Sequence, residues 1–262
     1  MLCKVKGIVL RYSECGENDK LLTLFTHEKG KMTVCIKGGR SLKSKHIPSS
    51  EIFCYSEFEL YQKGDMYWVR ESFLCESFFK IRSNLENMYL GQYFCEVCAE
   101  LALYDVPDQA LLRLLLNSLY LLAENKKDIR IVKSVFELRS ASIEGFMPDI
   151  EGCSICSNKK GEAYFDAIEG VLICTDCKKQ INETQSPQYF YENMAALPIL
   201  LLDESVLDAM NFIINAPLER SFSFSLPEDE LKKLNSVCEC FILHQLERGF
   251  KTLDLYKMLM KI

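Results

Sequence analysis

Four cysteines, Cys153, Cys156, Cys174 and Cys177, have the spacing of a metal site: Cys-x2-Cys, seventeen intervening residues, then Cys-x2-Cys. In that pattern two tight turns each offer a pair of thiolates to one tetrahedral ion. Four sulfur ligands fill every position on zinc, so no place remains for a catalytic water, and the ion holds structure without doing chemistry. The flanking sequence fits such turns. Gly152 precedes the first pair, Asn158 and Gly161 follow it, and Ile173 ends a short apolar run that enters the second. The expectation is one structural Zn2+ per chain on these four residues; the alternative is two ordinary pairs of thiols. Cys95 and Cys98 form another Cys-x2-Cys, but on a helical pattern with no second pair at ligand spacing, and they read as core packing. Cys238 and Cys240 fall on opposite sides of a helix and are not a metal pair.

A second chemistry is anion binding. From Lys29 to Ser50 the chain carries Lys29, Lys31, Lys37, Arg40, Lys43 and Lys45 without one acidic residue. The centre of this stretch, Lys37-Gly38-Gly39-Arg40-Ser41-Leu42-Lys43-Ser44-Lys45, is a loop by composition. Its glycines would let the backbone approach a phosphate chain and its cations would neutralise that chain. The plain alternative is a solvated basic loop. The chain as a whole is acidic, with net charge −6, yet residues 1–50 balance to +6 and the remaining 212 to −12. That asymmetry says more about partners than the total does. His46 lies in the basic loop and reads as a surface histidine or a phosphate contact.

These groups need elements to position them. The first eighty residues read as strands: Val5–Tyr12, Leu21–Thr26, Lys31–Lys37, Ile52–Tyr61 and Tyr67–Cys75, the last two joined by a hairpin signal at 62–65. Five short strands suit a small closed barrel of the OB type, with an open sandwich as the competing arrangement. On such a barrel the basic loop would border the groove where single strands lie. In the fourth strand, alternation puts Ile52, Cys54, Phe58 and Leu60 on one face and Phe53, Tyr55 and Tyr61 on the other; one face would line the barrel and the other would stack bases or pack on helices. Trp68 reads as core. From about residue 81 the period becomes helical, over 85–103, from Pro107 to Ala123, over 129–144 behind an Asp128 cap, and at 190–202, 204–214 and 228–248. The expected fold is therefore α+β: a five-stranded OB-fold barrel over 1–80, then an all-helical domain over 81–148 and 182–262 interrupted by an inserted four-cysteine zinc module at 149–181.

Thirteen scattered cysteines, several of them (Cys35, Cys54, Cys75, Cys95) in apolar runs where a thiol packs as a small hydrophobe, point to a reducing compartment. No signal peptide opens the sequence, and the longest apolar run, Leu111–Ala123, is broken by Arg113 and Asn117 and is too short for a bilayer. A cytoplasmic protein without a membrane partner is expected. Enzymatic motifs fail individually. Gly30-Lys31-Met32 lacks the Ser or Thr of a P-loop, no dinucleotide fingerprint occurs, and the His-x-Glu and Pro-Cys-x-x-Cys of zinc deaminases are missing. Only three histidines are present.

The residues also resemble a known family, the RecO recombination mediators of bacteria. The resemblance rests on Gly7-Ile8-Val9-Leu10, on Gly16-Glu17-Asn18-Asp19-Lys20-Leu21-Leu22-Thr23-Leu24-Phe25-Thr26, on Gly30-Lys31 and on Lys37-Gly38-Gly39-Arg40. Phe136-Glu137-Leu138-Arg139, Gly145-Phe146-Met147-Pro148 and the Cys153/Cys156 pair look like the family's helical-to-zinc junction, and His244–Leu253 resembles its last helix. The resemblance covers essentially the whole chain. It implies a non-enzymatic, ATP-independent DNA repair protein that binds single- and double-stranded DNA and anneals complementary strands. It further implies that the protein helps load RecA recombinase onto strands coated by single-strand-binding protein, in homologous recombination. The implied partners are RecR and the acidic tail of single-strand-binding protein, and the implied setting is the bacterial nucleoid. Carried over to this sequence, the DNA contacts would be Lys37, Arg40, Lys43 and Lys45, with Lys31 and Arg11 beside them, and the metal ligands Cys153, Cys156, Cys174 and Cys177. Arg130, Lys133 and Arg139, on one helix, are candidates for further DNA contact or for binding the acidic tail. Two other classes stay open from the residues alone: a zinc-dependent nuclease or nucleotide-modifying enzyme, and an RNA-binding adaptor.

Overall fold

The computed structural model describes residues 2–184 and 199–260. The chain forms two compact units, Met1–Lys126 together with Phe250–Ile262, and Lys127–Gly249.

In the first unit five strands close into a barrel: β1 (Leu2–Cys15), β2 (Asp19–Thr26), β3 (Gly30–Ile36), β4 (Cys54–Lys63) and β5 (Met66–Ser77), in the order β1-β2-β3-β5-β4. Closure depends on the length of β1. Its first half, Leu2 to Ile8, pairs with β4, and its second half, Gly7 to Cys15, pairs with β2 through an irregularity between Val9 and Arg11. A short parallel contact, Val34 with Tyr67 and Cys35 with Trp68, seals β3 to β5. Alternation supplies the interior: Val5, Val9, Leu22, Leu24, Met32, Val34, Ile36, Phe58, Leu60 and Val69 form one buried cluster. The closed OB-like barrel replaces the sandwich alternative.

Three readings from the sequence change here. The fourth strand starts at Cys54, so Phe53 lies outside it; the residue takes a positive φ of 70° and is buried, its ring approaching Gly91 of the following helix. Tyr55 is half-buried and Tyr61 exposed. Trp68 is only half-buried in β5 rather than in the core, and Cys75 is exposed although the apolar Phe73 and Leu74 precede it.

The barrel is followed by α1 (Leu85–Leu101), capped by Asn84, and α2 (Gln109–Glu124), capped by Asp108. Buried Asn87 of α1 donates to the Leu122 carbonyl and to Asn125, tying the two helices together. Cys95 and Cys98 are buried in α1, where burial pushes the Cys95 thiol up, as packing residues require. Thr252 of a terminal helix, here α7 (Lys251–Leu259), donates to Glu96 of α1 at 2.8 Å, and Tyr93 meets Phe250 edge-on.

The second unit opens with α3 (Ile129–Ile143), whose first turn is capped by Asp128. A four-stranded sheet follows, β6 (Asp149–Cys153), β7 (Ala163–Asp166), β8 (Val171–Cys174) and β9 (Ile199–Leu202), in the order β6-β8-β7-β9. Among the described residues the unit also holds helices α4 (Thr175–Thr184), α5 (Glu204–Asn215) and α6 (Glu228–Gln245). The helical pattern read over 190–202 falls mostly outside the described residues. Its end, Ile199–Leu202, is a strand on the edge of the sheet, because a four-residue apolar run fits either period. The helix read through 248 stops at Gln245, and Glu247 takes a positive φ of 50° before α7 begins. His244–Leu253 is therefore two helix ends and a turn, not one helix.

Candidate nucleic-acid interface and metal centre

The loop after β3 is a chain of linked turns. Ser41 N–H donates to the Gly38 carbonyl at 3.1 Å, Ser44 N–H to Ser41 at 2.9 Å, and Ile47 N–H to Ser44 at 3.3 Å. The β1–β2 turn fastens its near end. The Asp19 carboxylate accepts the Gly38 N–H at 2.8 Å, the Asn18 carbonyl accepts the Arg40 N–H at 3.0 Å, and the Glu17 carbonyl accepts from the Arg40 guanidinium at 3.3 Å. At the far end His46 Nδ1 and Ser49 Oγ both meet Ser72 Oγ, at 2.7 and 2.6 Å. Burial pushes the His46 imidazole below its ordinary value, with Lys45 adding to the effect. His46 is a buried anchor rather than a surface residue.

The two glycines have different uses. Gly38 has φ +64°, which an L side chain adopts only with strain. A Cβ on Gly39 would lie 2.8 Å from Lys20 Cβ and 3.0 Å from Ile36 Cβ. Gly39 is thus pressed against the barrel, not free to meet phosphate. Lys20 itself is buried, paired with Glu51 at 2.8 Å and seated over the Tyr12 ring.

The candidate cations divide accordingly. Lys37, Arg40, Lys43 and Lys45 all lie on this loop and are exposed. Arg40 pairs with Glu14 at 2.8 Å and Lys45 with Glu71 at 2.7 Å, both carboxylates coming from barrel strands. Arg11 is exposed on β1 and its Nε donates to Thr23 Oγ1. Lys31 stands apart: its ammonium donates to the Ala99 carbonyl at 2.6 Å and sits over the Tyr104 ring, so it is occupied in holding β3 to the chain around α1.

In the second unit the four cysteines come together. Cys153 ends β6, Cys156 lies in the following turn, Cys174 ends β8, and Cys177 is in the first turn of α4. Their Sγ atoms all lie within 4.8 Å of one another, with Cys156 and Cys174 at 3.6 Å. Sulfurs bound to one tetrahedral zinc sit about 3.8 Å apart, given Zn–S bonds of about 2.3 Å. Donor chemistry fits a cation as well. Burial alone pushes the Cys153 thiol up, but backbone N–H groups of Cys174, Cys156 and Ile155 outweigh it and bring it down to about 6. Hydrogen bonding to Cys156 and then Cys174 pushes Cys177 up instead. Four thiols this close cannot all ionise without a positive charge among them. Among the described residues, this is the one gathering of three or more His, Cys, Asp or Glu side chains with ligand atoms close enough for a metal.

Two family models match the sequence. One, described as Recombination protein O N terminal, covers residues 1–78, and the other, Recombination protein O C terminal, covers residues 82–254. The chain belongs to the RecO family. Its relatives include the DNA repair protein RecO of Acetivibrio thermocellus, 30% identical over 99% of this chain and 98% of the relative. The DNA repair protein RecO of Clostridium novyi is 27% identical over 98% and 94%, and that of Caldicellulosiruptor bescii 27% over 98% and 99%. Membership sets the chain among proteins of DNA repair and recombination. None of the described helices is long and apolar enough to cross a membrane.

The RecO-like segment Gly16–Lys20 is thereby given a physical task, since Glu17, Asn18 and Asp19 dock the basic loop and Lys20 packs beneath it. The RecO-like Phe136–Arg139 lies within a helix committed to the interior. Lys133 has no exposed side-chain surface; its ammonium lies 2.9 Å from Glu137 and 2.8 Å from Glu239 of α6. Arg139 reaches the carbonyls of Ile213 and Ile214 at the end of α5, and Arg130 bridges Asp128 and Glu228. The three cations share a helix but each has a partner inside the unit, and Lys133 has no surface left to offer another molecule. Sequence reading missed this triad. The signal for it was the apolar setting of Lys133 and Glu137, with Ile131-Val132 before them, Val135-Phe136 between them and Leu138 after, which marks a helix buried over most of its surface.

Proposed function

We propose that this protein is a DNA-binding recombination mediator. It anneals complementary strands without ATP and without an active site of its own, and it helps load RecA onto strands coated by single-strand-binding protein. RecR and the acidic tail of single-strand-binding protein are its partners, and it works in the bacterial cytoplasm at the nucleoid. The observation that carries this reading is the anchored basic loop, with Lys37, Arg40, Lys43 and Lys45 exposed on a chain of hydrogen-bonded turns. Two DNA strands repel; cations fixed on one barrel let both lie close enough to pair. The pairs Arg40–Glu14 and Lys45–Glu71 do not oppose this, because exposed ion pairs are worth about 0–1 kcal/mol and a phosphate competes with the carboxylate. Arg11 would extend the same surface.

The four cysteines would hold one structural zinc per chain. Bound there, the ion would clamp the end of β6 and the end of β8 to the first turn of α4. A full cysteine set offers no open coordination position, which argues against the nuclease reading.

The test is DNA binding as a function of salt, with annealing of strands already covered by single-strand-binding protein as the functional readout. Changing Lys37, Arg40, Lys43 and Lys45 to Ala together should reduce the slope of log K against log salt by about 0.7 per lost contact on single strands. An unaltered slope and affinity would show the assigned surface to be wrong. Tighter binding of RNA than of DNA of the same sequence would favour the adaptor reading.

A further inference from the structure

Leu42 stands out among the exposed apolar side chains. It is 96% exposed, against 67% for Phe79, the next in rank among the described large hydrophobics. Single exposed leucines are ordinary on protein surfaces, so exposure alone decides nothing. Its setting does. Leu42 and Lys43 are the two corner residues of the turn closed by Ser44 N–H and the Ser41 carbonyl, and Ser41 Oγ also accepts the Lys43 N–H at 3.3 Å. The turn is spliced on both sides to further turns, and those are fastened by Asp19 at one end and Ser72 at the other. The leucine therefore cannot fold back onto the barrel without breaking that series. Cations flank it, Arg40 before and Lys43 and Lys45 after. Arg40 and Lys43 are three positions apart, so their Cα atoms are separated by at most about 11 Å, within reach of neighbouring phosphates of one strand.

We propose that Leu42 is a base-contacting wedge: when the flanking cations hold a strand by its phosphates, the leucine inserts between two adjacent bases and unstacks them. Apolar wedges among cations act in this way on DNA elsewhere, at a cost in lost stacking that the phosphate contacts offset. This inference rests on the DNA-binding reading above. It adds that the loop disturbs base stacking as well as neutralising charge, and so leaves base edges ready to pair.

The test uses the full chain and a single strand carrying 2-aminopurine, whose fluorescence rises when its neighbours unstack. Binding by the unchanged protein should raise the signal. Leu42→Ala, saturated with the same strand, should lose about two-thirds of that rise or more, while Leu42→Phe should restore it. Affinity and its salt slope are followed separately on the same samples. A full fluorescence rise from bound Leu42→Ala overturns the wedge and leaves the charge-based reading standing. Failure of the unchanged protein to bind the strand at any salt overturns both.

Discussion

The Asp19 carboxylate accepts the Gly38 backbone N–H at 2.8 Å, and through this bond the turn between the first two strands holds the start of the basic loop. The acidic residue thus supports a cationic surface by fixing the backbone of the loop that carries the cations. Asp19→Ala should destabilise the first unit by about 1.5–3 kcal/mol, the usual worth of a hydrogen bond to a charged group, and should weaken DNA binding. Asp19→Asn keeps an acceptor and should retain most of both. Hydrogen exchange at Gly38 reports the bond directly; unchanged protection in Asp19→Ala would refute the anchor.

Gly39 is confined by packing. Gly39→Ala places a methyl group 2.8 Å from Lys20 Cβ and should cost about 1–3 kcal/mol as the barrel wall gives way. The urea midpoint measures this. A stability equal to that of the unchanged protein would mean that the wall yields freely.

Lys133 offers a sharper case. Lys133→Met leaves the Glu137 and Glu239 carboxylates facing each other inside the unit, at a cost of about 3–5 kcal/mol. Adding Glu137→Gln and Glu239→Gln should recover much of the loss, as chemical denaturation of the triple variant will show. A pH dependence follows. Burial alone pulls the Lys133 ammonium down, but Glu137 and Glu239 more than offset it and hold its pKa above the ordinary lysine value. A raised folded value means that the stabilisation is complete below the unfolded lysine pKa of about 10.4 and is lost as pH climbs through the folded one. The unchanged protein should therefore lose stability on the alkaline side, and the triple variant should lack that part of the decline.

Metal analysis should return one zinc per chain. Stripping it with chelator should loosen residues 150–180 before the rest, because binding energy at such a site is folding energy. Ready alkylation of all four thiols, Cys153, Cys156, Cys174 and Cys177, in the native protein would contradict the assignment.

Much of this was legible from residue order. Apolar runs bounded by turn signals found all five barrel strands to within a few residues, and the Asp128 cap found the start of α3. The cysteine spacing pointed to four side chains that do converge. What stayed hidden depended on contacts between distant residues. The role of Gly39 is set by Lys20 and Ile36, the engagement of Lys31 by Ala99, and the burial of His46 by Ser72. Phe53 escaped because a positive φ removed it from its strand, which alternation alone cannot reveal. The strand β9 escaped because Ile-Leu-Leu-Leu has no period of its own.

Order of synthesis matters for the first unit. Thr252 completes a bond to Glu96, 156 positions earlier in the chain. A ribosome adding about 5–20 residues per second needs roughly eight to thirty seconds to make that stretch. Throughout this delay α1 waits with its Tyr93 flank uncovered, and the nascent barrel unit is finished only after everything between Lys127 and Gly249 has been made.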